Sequence, residues 1–289
     1  MSNMVTAAGK SRSIENRNRV TRPPRMKSLP WASLWRPVMR SVLVYLTLLL
    51  LSACHHFDSG GHDFTLQTED LQVYPLNDHV WVHRSWARVE GERYPANGLI
   101  ILDDDQLILV DTAWGNALTS ELLTWIEDYF GRKPDMAILT HAHADRIGGL
   151  PALAEQHIAA YVHPMTRTLA AAKYPREQLP KAIDELEQDT SAQLGSLEVF
   201  YPGPAHSPDN IVVWYDDMKL LFGGCAVKSS SAVDIHYVEG SSPAGWGAAI
   251  SRIQTRYPSA EIVVPGHGPV GEDPLLNHTL ELARQGYRP

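Results

Sequence analysis

The feature that most restricts the fold is a polar, histidine-rich turn set between two apolar segments. Residues 140–149 have the sequence THAHADRIGG, follow the apolar run 136–139 and precede a helix predicted over 150–156. The apolar run predicts a buried strand, so the turn lies at a strand end. His141 and His143 are two residues apart, and in an extended segment such side chains point the same way. Both imidazoles can therefore reach one metal ion.

Asp145 lies two residues further along, where the chain turns, and its carboxylate can address a second position beside the first. Gly148 and Gly149 allow the backbone to pass close to whatever lies there. A polar loop tip is the alternative interpretation, and composition alone would place a His-x-His-x-Asp in such a chain on the order of a few times in a hundred. The motif alone therefore does not distinguish a metal site from a polar loop tip, and further metal-binding residues elsewhere in the chain are needed to do so.

Three further potential ligands, His206, Cys225 and His267, occupy Gly- or Pro-rich turns directly beside predicted strands. Catalytic residues are commonly carried on loops held by a rigid scaffold. Taken singly, His206 is equally an ordinary turn residue, Cys225 a buried core residue and His267 a helix-capping group. Together with the three residues of the first turn they make six donors, enough for two tetrahedral zinc ions that share an exogenous oxygen.

The rest of the pattern predicts a mixed α/β (α+β) domain. Asp103 and Asp105 flank a tight turn that predicts a hairpin, and a loop bearing Trp86 and Tyr94 is predicted before it. Strands are predicted at 71–74, 80–84, 98–102, 106–111, 136–139, 161–162, 197–201, 211–215, 219–222 and 261–264, and helices at 116–130, 150–156, 165–173, 243–257 and from 274. This order fits two mixed sheets packed together with helices outside.

The order His-Ala-His-Ala-Asp-Arg at 141–146, then His206, Cys225 and His267, resembles the metallo-β-lactamase superfamily. Within it the pattern is similar to the class B β-lactamases of subclass 1, in particular to acquired carbapenemases of the Verona-integron type. Segments 95–99, 111–115 and 201–203 share the resemblance, which runs from about 80 to 278. It implies a four-layer αβ/βα sandwich with the site at one edge between the sheets.

The resemblance also implies the roles of the six donors. His141, His143 and His206 would bind the first zinc, and Asp145, Cys225 and His267 the second. A metal-bound hydroxide would then open the lactam amide of penicillins, cephalosporins and carbapenems, with Asp145 or a bound water returning the proton. Asp111 would orient a ligand. Hydrolases of the glyoxalase kind typically have a histidine where this chain has Arg146 and an aspartate in place of the cysteine.

Three residues are implied to meet the substrate. Lys228 would bind the carboxylate beside the lactam nitrogen, with a solvated surface lysine as the alternative. Trp86 would lie on a mobile hairpin over the site, or else pack as an ordinary aromatic. His236 and Tyr237 stand where the family usually has a Gly-Asn pair. There Tyr237 would donate a hydrogen bond to the substrate in place of the amide, His236 would perturb the second zinc, or both would simply fill the loop.

Charge is distributed unevenly along the 289 residues. Residues 1–53 contain nine Lys or Arg and one acid, which leaves residues 54–289 with 16 basic and 32 acidic residues and a net charge of −16. An acidic body argues against nucleic acid as a partner, because phosphate binding requires a basic patch. The expected partner is a small β-lactam, and a monomer is the default.

The basic N-terminal segment predicts targeting. Residues 41–51 form an apolar run too short to span a bilayer comfortably, and Leu51-Ser52-Ala53-Cys54 is similar to a bacterial lipobox. The sequence therefore predicts an N-terminal extension and lipoprotein signal peptide at 1–53, lipidation of Cys54, a linker at 54–69 and the catalytic domain at 70–289. The protein would be a periplasmic lipoprotein anchored to the outer membrane. An ordinary cleaved signal peptide and an uncleaved anchor are the alternatives.

Two other functions are compatible with the sequence. One is a different hydrolase of the same fold, acting on a thioester or a lactone. The other is a zinc-binding envelope lipoprotein without catalysis. Two features argue against it: Lys228, and the open coordination position implied by three protein ligands per ion.

Overall fold

The computed structural model describes residues 64–103, 105–184, 186–235, 240–271 and 274–286. The predicted leader, Cys54 and most of the linker lie outside the described residues, as do His236 and Tyr237. Among the described helices, none is long and apolar enough to cross a membrane.

Two β-sheets and six α-helices make up the described part of the chain. The first sheet follows chain order with β1 (Leu66–Gln67), β2 (Leu71–Pro75), β3 (Val80–Val89), β4 (Glu92–Asp103), β5 (Gln106–Val110), β6 (Met136–Leu139), β7 (Ala159–Val162) and β8 (Lys181–Ala182). The second contains β9 (Thr190–Leu194), β10 (Leu197–Tyr201), β11 (Val212–Tyr215), β12 (Leu220–Gly224) and β13 (Ile262–Pro265), in the order β13-β12-β11-β10-β9. The helices are α1 (Gly115–Phe130), α2 (Ala144–Ile147), α3 (Leu150–Glu155), α4 (Pro164–Ala171), α5 (Pro243–Arg256) and α6 (Pro274–Gln285).

Both sheets are mixed, as predicted. Strands β1 to β5 pair antiparallel and β5 to β8 pair parallel. In the second sheet only the β12–β13 pair is parallel. Parallel neighbours need a crossover connection, and helices lie in the connections from β5 to β8 and from β12 to β13.

Alternation along β5 shows how the layers stack. Leu109 packs in a cluster with Ile126 of α1, whereas its neighbour Ile108 packs in a second cluster with Phe222 of the other sheet. A strand buried on both faces has an apolar run rather than an alternating pattern. A third cluster places Trp246 of α5 on the outer face of the second sheet. The order helix, sheet, sheet, helix confirms the predicted αβ/βα sandwich.

Most predicted elements are confirmed, but the loop predicted between residues 84 and 98 is wrong. The strands predicted at 80–84 and 98–102 extend towards each other as β3 and β4, which form a long antiparallel hairpin in which Trp86 pairs with Pro95; its turn contains Glu90 and Gly91. Polar and charged residues interrupt the apolar alternation there, while the backbone ladder continues. Strands β1, β8 and β9 were not predicted, because they are two residues long or largely polar.

The ends of four strands meet at one edge of the sandwich. Residues that follow β5, β6, β12 and β13 lie there, and two backbone hydrogen bonds join the sheets. Asn97 N donates to Gly266 O at 2.9 Å, and Ile211 N donates to Thr140 O at 2.9 Å. These bonds fix the loops that carry the predicted ligands.

Candidate metal centre

Three histidines converge at the end of β6. His141 and His143 follow that strand, and His206 lies in the loop between β10 and β11. Nδ1 of His143 is 3.1 Å from Nε2 of His141 and 3.1 Å from Nε2 of His206. His143 has extended backbone angles (φ −83°, ψ 160°), which is the conformation in which residues two apart face the same side. These three residues are called the histidine set below.

A second group, called the cysteine set below, consists of Asp145, Cys225 and His267. Sγ of Cys225 is 3.5 Å from Asp145 Oδ2 and 3.1 Å from His267 Nε2, and that nitrogen is 3.4 Å from the same carboxylate oxygen. Nδ1 of His267 lies 2.5 Å from Pro95 O. Because a carbonyl only accepts, Nδ1 carries the proton and Nε2 keeps its lone pair directed at the cysteine set. Gly224 turns the chain before the cysteine with φ +51°, a conformation that suits glycine.

Arg146 is fully buried and connects the cysteine set to both sheets. Nη2 donates to Cys225 Sγ at 3.0 Å and to Gly266 O at 2.8 Å, and Nη1 donates to Asp111 Oδ2 at 3.2 Å. Nε forms an ion-pair contact with Asp145 Oδ2 at 2.9 Å. A Cβ on Gly266 would come within 2.8 Å of the guanidinium and 2.6 Å of the Cys225 backbone nitrogen. The close approach at this corner therefore requires glycine.

Asp111 reaches the histidine set through one intermediate residue. Its carboxylate accepts from Thr140 N at 2.7 Å and from Thr140 Oγ1 at 2.9 Å. The hydroxyl of Thr140 is in turn 3.4 Å from Nδ1 of His141. Asp111 has φ +60°, which is strained for a residue with a Cβ and is tolerated because these bonds and Arg146 hold it.

Asp209 is a buried carboxylate to which the sequence pattern assigned no role. Its Oδ2 accepts hydrogen bonds from Ala142 N at 2.9 Å and from Thr166 Oγ1 at 2.7 Å. Because Ala142 lies between His141 and His143, this bond fixes the segment that carries both imidazoles. An aspartate in a turn is too common to stand out in a sequence, and only the long-range contact reveals it.

The imidazoles of both sets favour the neutral form. Burial, with smaller contributions from nearby cationic groups, lowers the pKa of His141 and of His206 well below 6.5. Burial also lowers the pKa of His143. The pKa of His267 falls to about 4, mainly through burial and then through Arg146, although 36% of that side chain is exposed. Neutral imidazole is the form that binds a metal ion.

The other two donors of the cysteine set respond to Arg146 differently. Burial alone would raise the pKa of Asp145, but Arg146 and the surrounding histidines outweigh it and hold that pKa well below the usual range. Burial raises the pKa of the Cys225 thiol, and Arg146 only partly offsets this. Asp145 is therefore ionised without a metal, whereas the cysteine gains its thiolate form by binding one.

Both sets fit zinc. Zinc is bound tetrahedrally by imidazole nitrogens at about 2.0–2.1 Å, which places neighbouring nitrogens roughly 3.3 Å apart. The separations of 3.1 Å in the histidine set are close to this value. In each set the ligand atoms all lie within 4.8 Å of one another. Thiolate and imidazole donors together favour zinc over magnesium or calcium, which prefer oxygen.

A cavity of about 800 Å³ opens over the two sets, and four of the six donors line it. Lys228 lines the same cavity, with Nζ 5.0 Å from the centre of the Trp246 ring. That ring is fully buried, donates from Nε1 to Ala226 O at 2.7 Å and lies with its centroid 5.9 Å from that of His206. Trp246 thus connects Lys228 to the histidine set, a role that a tryptophan at a core position of a helix does not show in sequence.

A known protein family has a sequence pattern that matches the part of the chain carrying these metal-binding residues. The metallo-β-lactamase superfamily matches residues 91–267, a range that includes all six donors. The chain belongs to the metallo-β-lactamase superfamily. The resemblance predicted from the sequence is confirmed.

Relatives within the superfamily match over most of the chain. A metallo-β-lactamase type 2 from Bacillus cereus is 40% identical over 220 residues, which are 75% of this chain and 84% of the relative. A metallo-β-lactamase from Pontibacter korlensis has a similar structure, with a TM-score of 0.68, 37% identity and coverage of 74% of this chain and 99% of that one. A metallo-β-lactamase from Pseudomonas aeruginosa, solved in a mono-zinc form, has a TM-score of 0.69, 30% identity and coverage of 75% and 96%.

Trp86, which the resemblance places on a hairpin over the site, is not among the residues that line the cavity. The hairpin contributes Val89, Glu90 and Tyr94 instead. Successive side chains on a strand point to opposite faces. Val89 shares a face of β3 with Ser85, and the Ser85 hydroxyl accepts a hydrogen bond at 2.8 Å from the backbone nitrogen of Trp114, which also lines the cavity. Trp86 is one position from Ser85 and therefore points to the opposite face. There its ring stacks with Arg93, whose guanidinium carbon lies 4.6 Å from the ring centre.

Proposed function

We propose that the protein is a zinc-dependent hydrolase that opens the lactam ring of penicillins, cephalosporins and carbapenems. One observation carries the proposal: two complete sets of three metal-binding side chains lie against one cavity that also contains Lys228. The membership of the superfamily and the names of its relatives support it.

The histidine set holds one zinc ion and the cysteine set holds a second. The fit rests on the donor types and on the distances between ligand atoms within each set. Arg146 positions the cysteine set through Asp145 and Cys225, and Asp209 positions the histidine set through Ala142. Such outer contacts orient ligands and tune their affinity for the metal.

When bound, zinc supplies a water nucleophile whose pKa is lowered towards about 7, and it polarises the lactam carbonyl as a Lewis acid. Lys228 binds the carboxylate beside the lactam nitrogen and so fixes the ring in the cavity. The low pKa of Asp145 keeps it ionised, which suits a ligand better than a proton donor. Tyr237 is proposed to donate a hydrogen bond to the substrate, and it lies outside the described residues.

A purified-protein assay with a chromogenic cephalosporin and added zinc tests this function. Turnover, followed by hydrolysis of a penicillin and a carbapenem, is the expected result. Turnover of a thioester or lactone without turnover of any β-lactam would assign the protein to another activity of the fold. Bound zinc with no turnover of any of these would leave a zinc-binding protein without catalysis.

Cys225→Ser is expected to lower the zinc content from two ions per chain to one and to reduce the rate of hydrolysis. A hydroxyl keeps the size of the side chain but is a much poorer zinc ligand than a thiolate. Zinc content by elemental analysis and kcat for a cephalosporin measure the two effects. Ser231→Ala, which changes a hydroxyl on the cavity wall, is the control and should keep both zinc ions. Unchanged zinc content and rate in the Cys225 variant would remove this residue from the ligands.

We also propose that the chain is exported and anchored by lipid at Cys54, with the catalytic domain at 70–289, in the periplasm and as a monomer. The lipobox-like sequence before Cys54 supports the anchor. Labelling of cells with radioactive palmitate should mark the protein, and Cys54→Ser should abolish the label. A labelled Cys54→Ser protein would contradict the anchor.

A further inference from the structure

We infer that Lys173 binds a second anionic group of the substrate, so that the enzyme favours β-lactams whose acyl side chain carries an additional carboxylate. The inference rests on the proposed β-lactam hydrolysis and assigns a substrate class to the same cavity. Lys173 is not one of the six metal-binding residues, and the carboxylate beside the lactam nitrogen is already assigned to Lys228.

Lys173 follows α4 by two residues and lines the cavity together with His143 and Lys228. Its Nζ donates to Ala142 O at 3.3 Å. This carbonyl belongs to the residue between His141 and His143, so the ammonium is held beside the histidine set. Lys228, in contrast, is held on Trp246. Two lysines attached to different elements therefore face one cavity.

The contact with Ala142 leaves the ammonium group of Lys173 able to bind a ligand. An ammonium has three donors, and the single carbonyl takes one of them. The side chain is exposed, and no ion pair joins it to a carboxylate of the described residues. An anion that enters the cavity would thus meet a positive charge whose position is restricted by Ala142.

One carboxylate is common to penicillins and cephalosporins, and Lys228 is assigned to it. A second cation in the same cavity has no partner on such a monoanion. When the acyl side chain carries a second carboxylate, that group can form a charge-assisted hydrogen bond with Lys173 while Lys228 binds the first carboxylate. The cavity walls also carry Glu90 and Asp234, so the attraction depends on the local position of Lys173 and not on a net positive charge.

A purely structural role for Lys173 makes a different prediction. If the lysine only holds Ala142, its removal would affect every β-lactam alike through the histidine set. If it binds an anion, its removal would act on the dianionic substrate selectively. Benzylpenicillin and carbenicillin separate the two cases, because carbenicillin differs by one added carboxylate on the acyl side chain.

The experiment compares kcat/KM for carbenicillin and benzylpenicillin in the full-length, zinc-loaded protein and in three variants. In Lys173→Met the ratio of carbenicillin to benzylpenicillin should fall about threefold to fivefold, as expected for a solvent-exposed charge pair. The change should appear in KM for carbenicillin, because binding in the ground state and the transition state is affected alike. Raising the salt concentration should shrink the effect.

Two variants are controls. Lys173→Arg keeps the charge and should keep the ratio near that of the unaltered protein. Lys133→Met removes the same charge from an exposed lysine outside the cavity and should leave the ratio unchanged. Zinc content is measured in each variant, so that a disturbed histidine set is recognised directly.

The outcomes are distinguishable. A selective loss on carbenicillin in Lys173→Met, restored in Lys173→Arg, supports anion binding. An unchanged ratio, or equal losses on both penicillins with lowered zinc content, overturns it while hydrolysis of benzylpenicillin by the unaltered protein upholds the proposed function. If the unaltered protein with zinc hydrolyses neither penicillin, the proposed function fails and the inference fails with it.

Discussion

Removal of metal with a chelator is expected to reduce β-lactam hydrolysis to the uncatalysed background, and added zinc should restore it. The side chains that face the reaction are arranged as metal ligands. The histidine set consists of neutral imidazoles directed at one another, and Asp145 is ionised. Without a metal ion none of them provides an activated nucleophile, whereas zinc provides one from water. Activity would be followed with a chromogenic cephalosporin during chelation and titration back.

Two serine hydroxyls on the cavity wall are alternative nucleophiles, and the chelation experiment tests this alternative as well. Ser229 lies on the wall with its hydroxyl 3.1 Å from that of Ser231. Turnover that persists in excess chelator would contradict the metal-dependent function. Loss of that residual turnover in Ser229→Ala would then identify a serine-dependent reaction. If zinc acts as proposed, Ser229→Ala should respond to chelator like the unaltered protein.

Chelation has a second expected readout that does not depend on activity. An ion that binds only the folded chain stabilises it by about 4 kcal/mol when its concentration is 1,000 times its dissociation constant. The unfolding temperature should therefore rise on titration with zinc. It should rise less in Cys225→Ser if the cysteine set binds an ion of its own. An unfolding temperature that ignores zinc would argue against both sites.

The sequence predicted the elements that carry the ligands because local pattern determines them. The apolar run at Met136–Leu139 and the helical spacing of Gly115–Phe130 are visible in any short window. His141 and His143 were predicted to face one side from strand geometry alone. The grouping of His206 with them needed more, since 63 residues separate it from His143. Only the resemblance to a family supplied that pairing in advance.

Other features could not be predicted because they depend on contacts distant in sequence or on the phase of a strand. Arg146 was recognised as a family feature, but its contacts with Cys225 and Gly266 cross the two sheets. The direction of the Trp86 side chain depends on the phase of β3, because residues 84–89 are a strand and not a loop, and in a strand a shift of one residue reverses the face. Asp209 looks like an ordinary turn residue until the fold brings it to Ala142.

Arg146→Met is expected to lower the free energy of unfolding of the metal-free protein by about 3–5 kcal/mol, since removal of one partner strands a buried charge. The guanidinium is fully buried and is the cation that faces Asp145, Asp111 and the sulfur of Cys225. Its loss would leave the buried negative charge of the Asp145 carboxylate without the arginine that neutralises it. Chemical denaturation in the presence of a chelator measures the effect.

Arg132→Met is the matched control, because it removes an arginine from an exposed ion pair. Arg132 and Asp135 are 39% and 41% exposed, and such pairs contribute about 1 kcal/mol or less. Equal losses in the two variants would show that the cost of burying Arg146 cancels its interactions, as happens when a buried ion pair is replaced by apolar groups. Zinc separates the roles further. An ion at the cysteine set supplies positive charge beside Asp145 and Cys225, so saturating zinc should recover part of the stability lost in Arg146→Met and none of that lost in Arg132→Met.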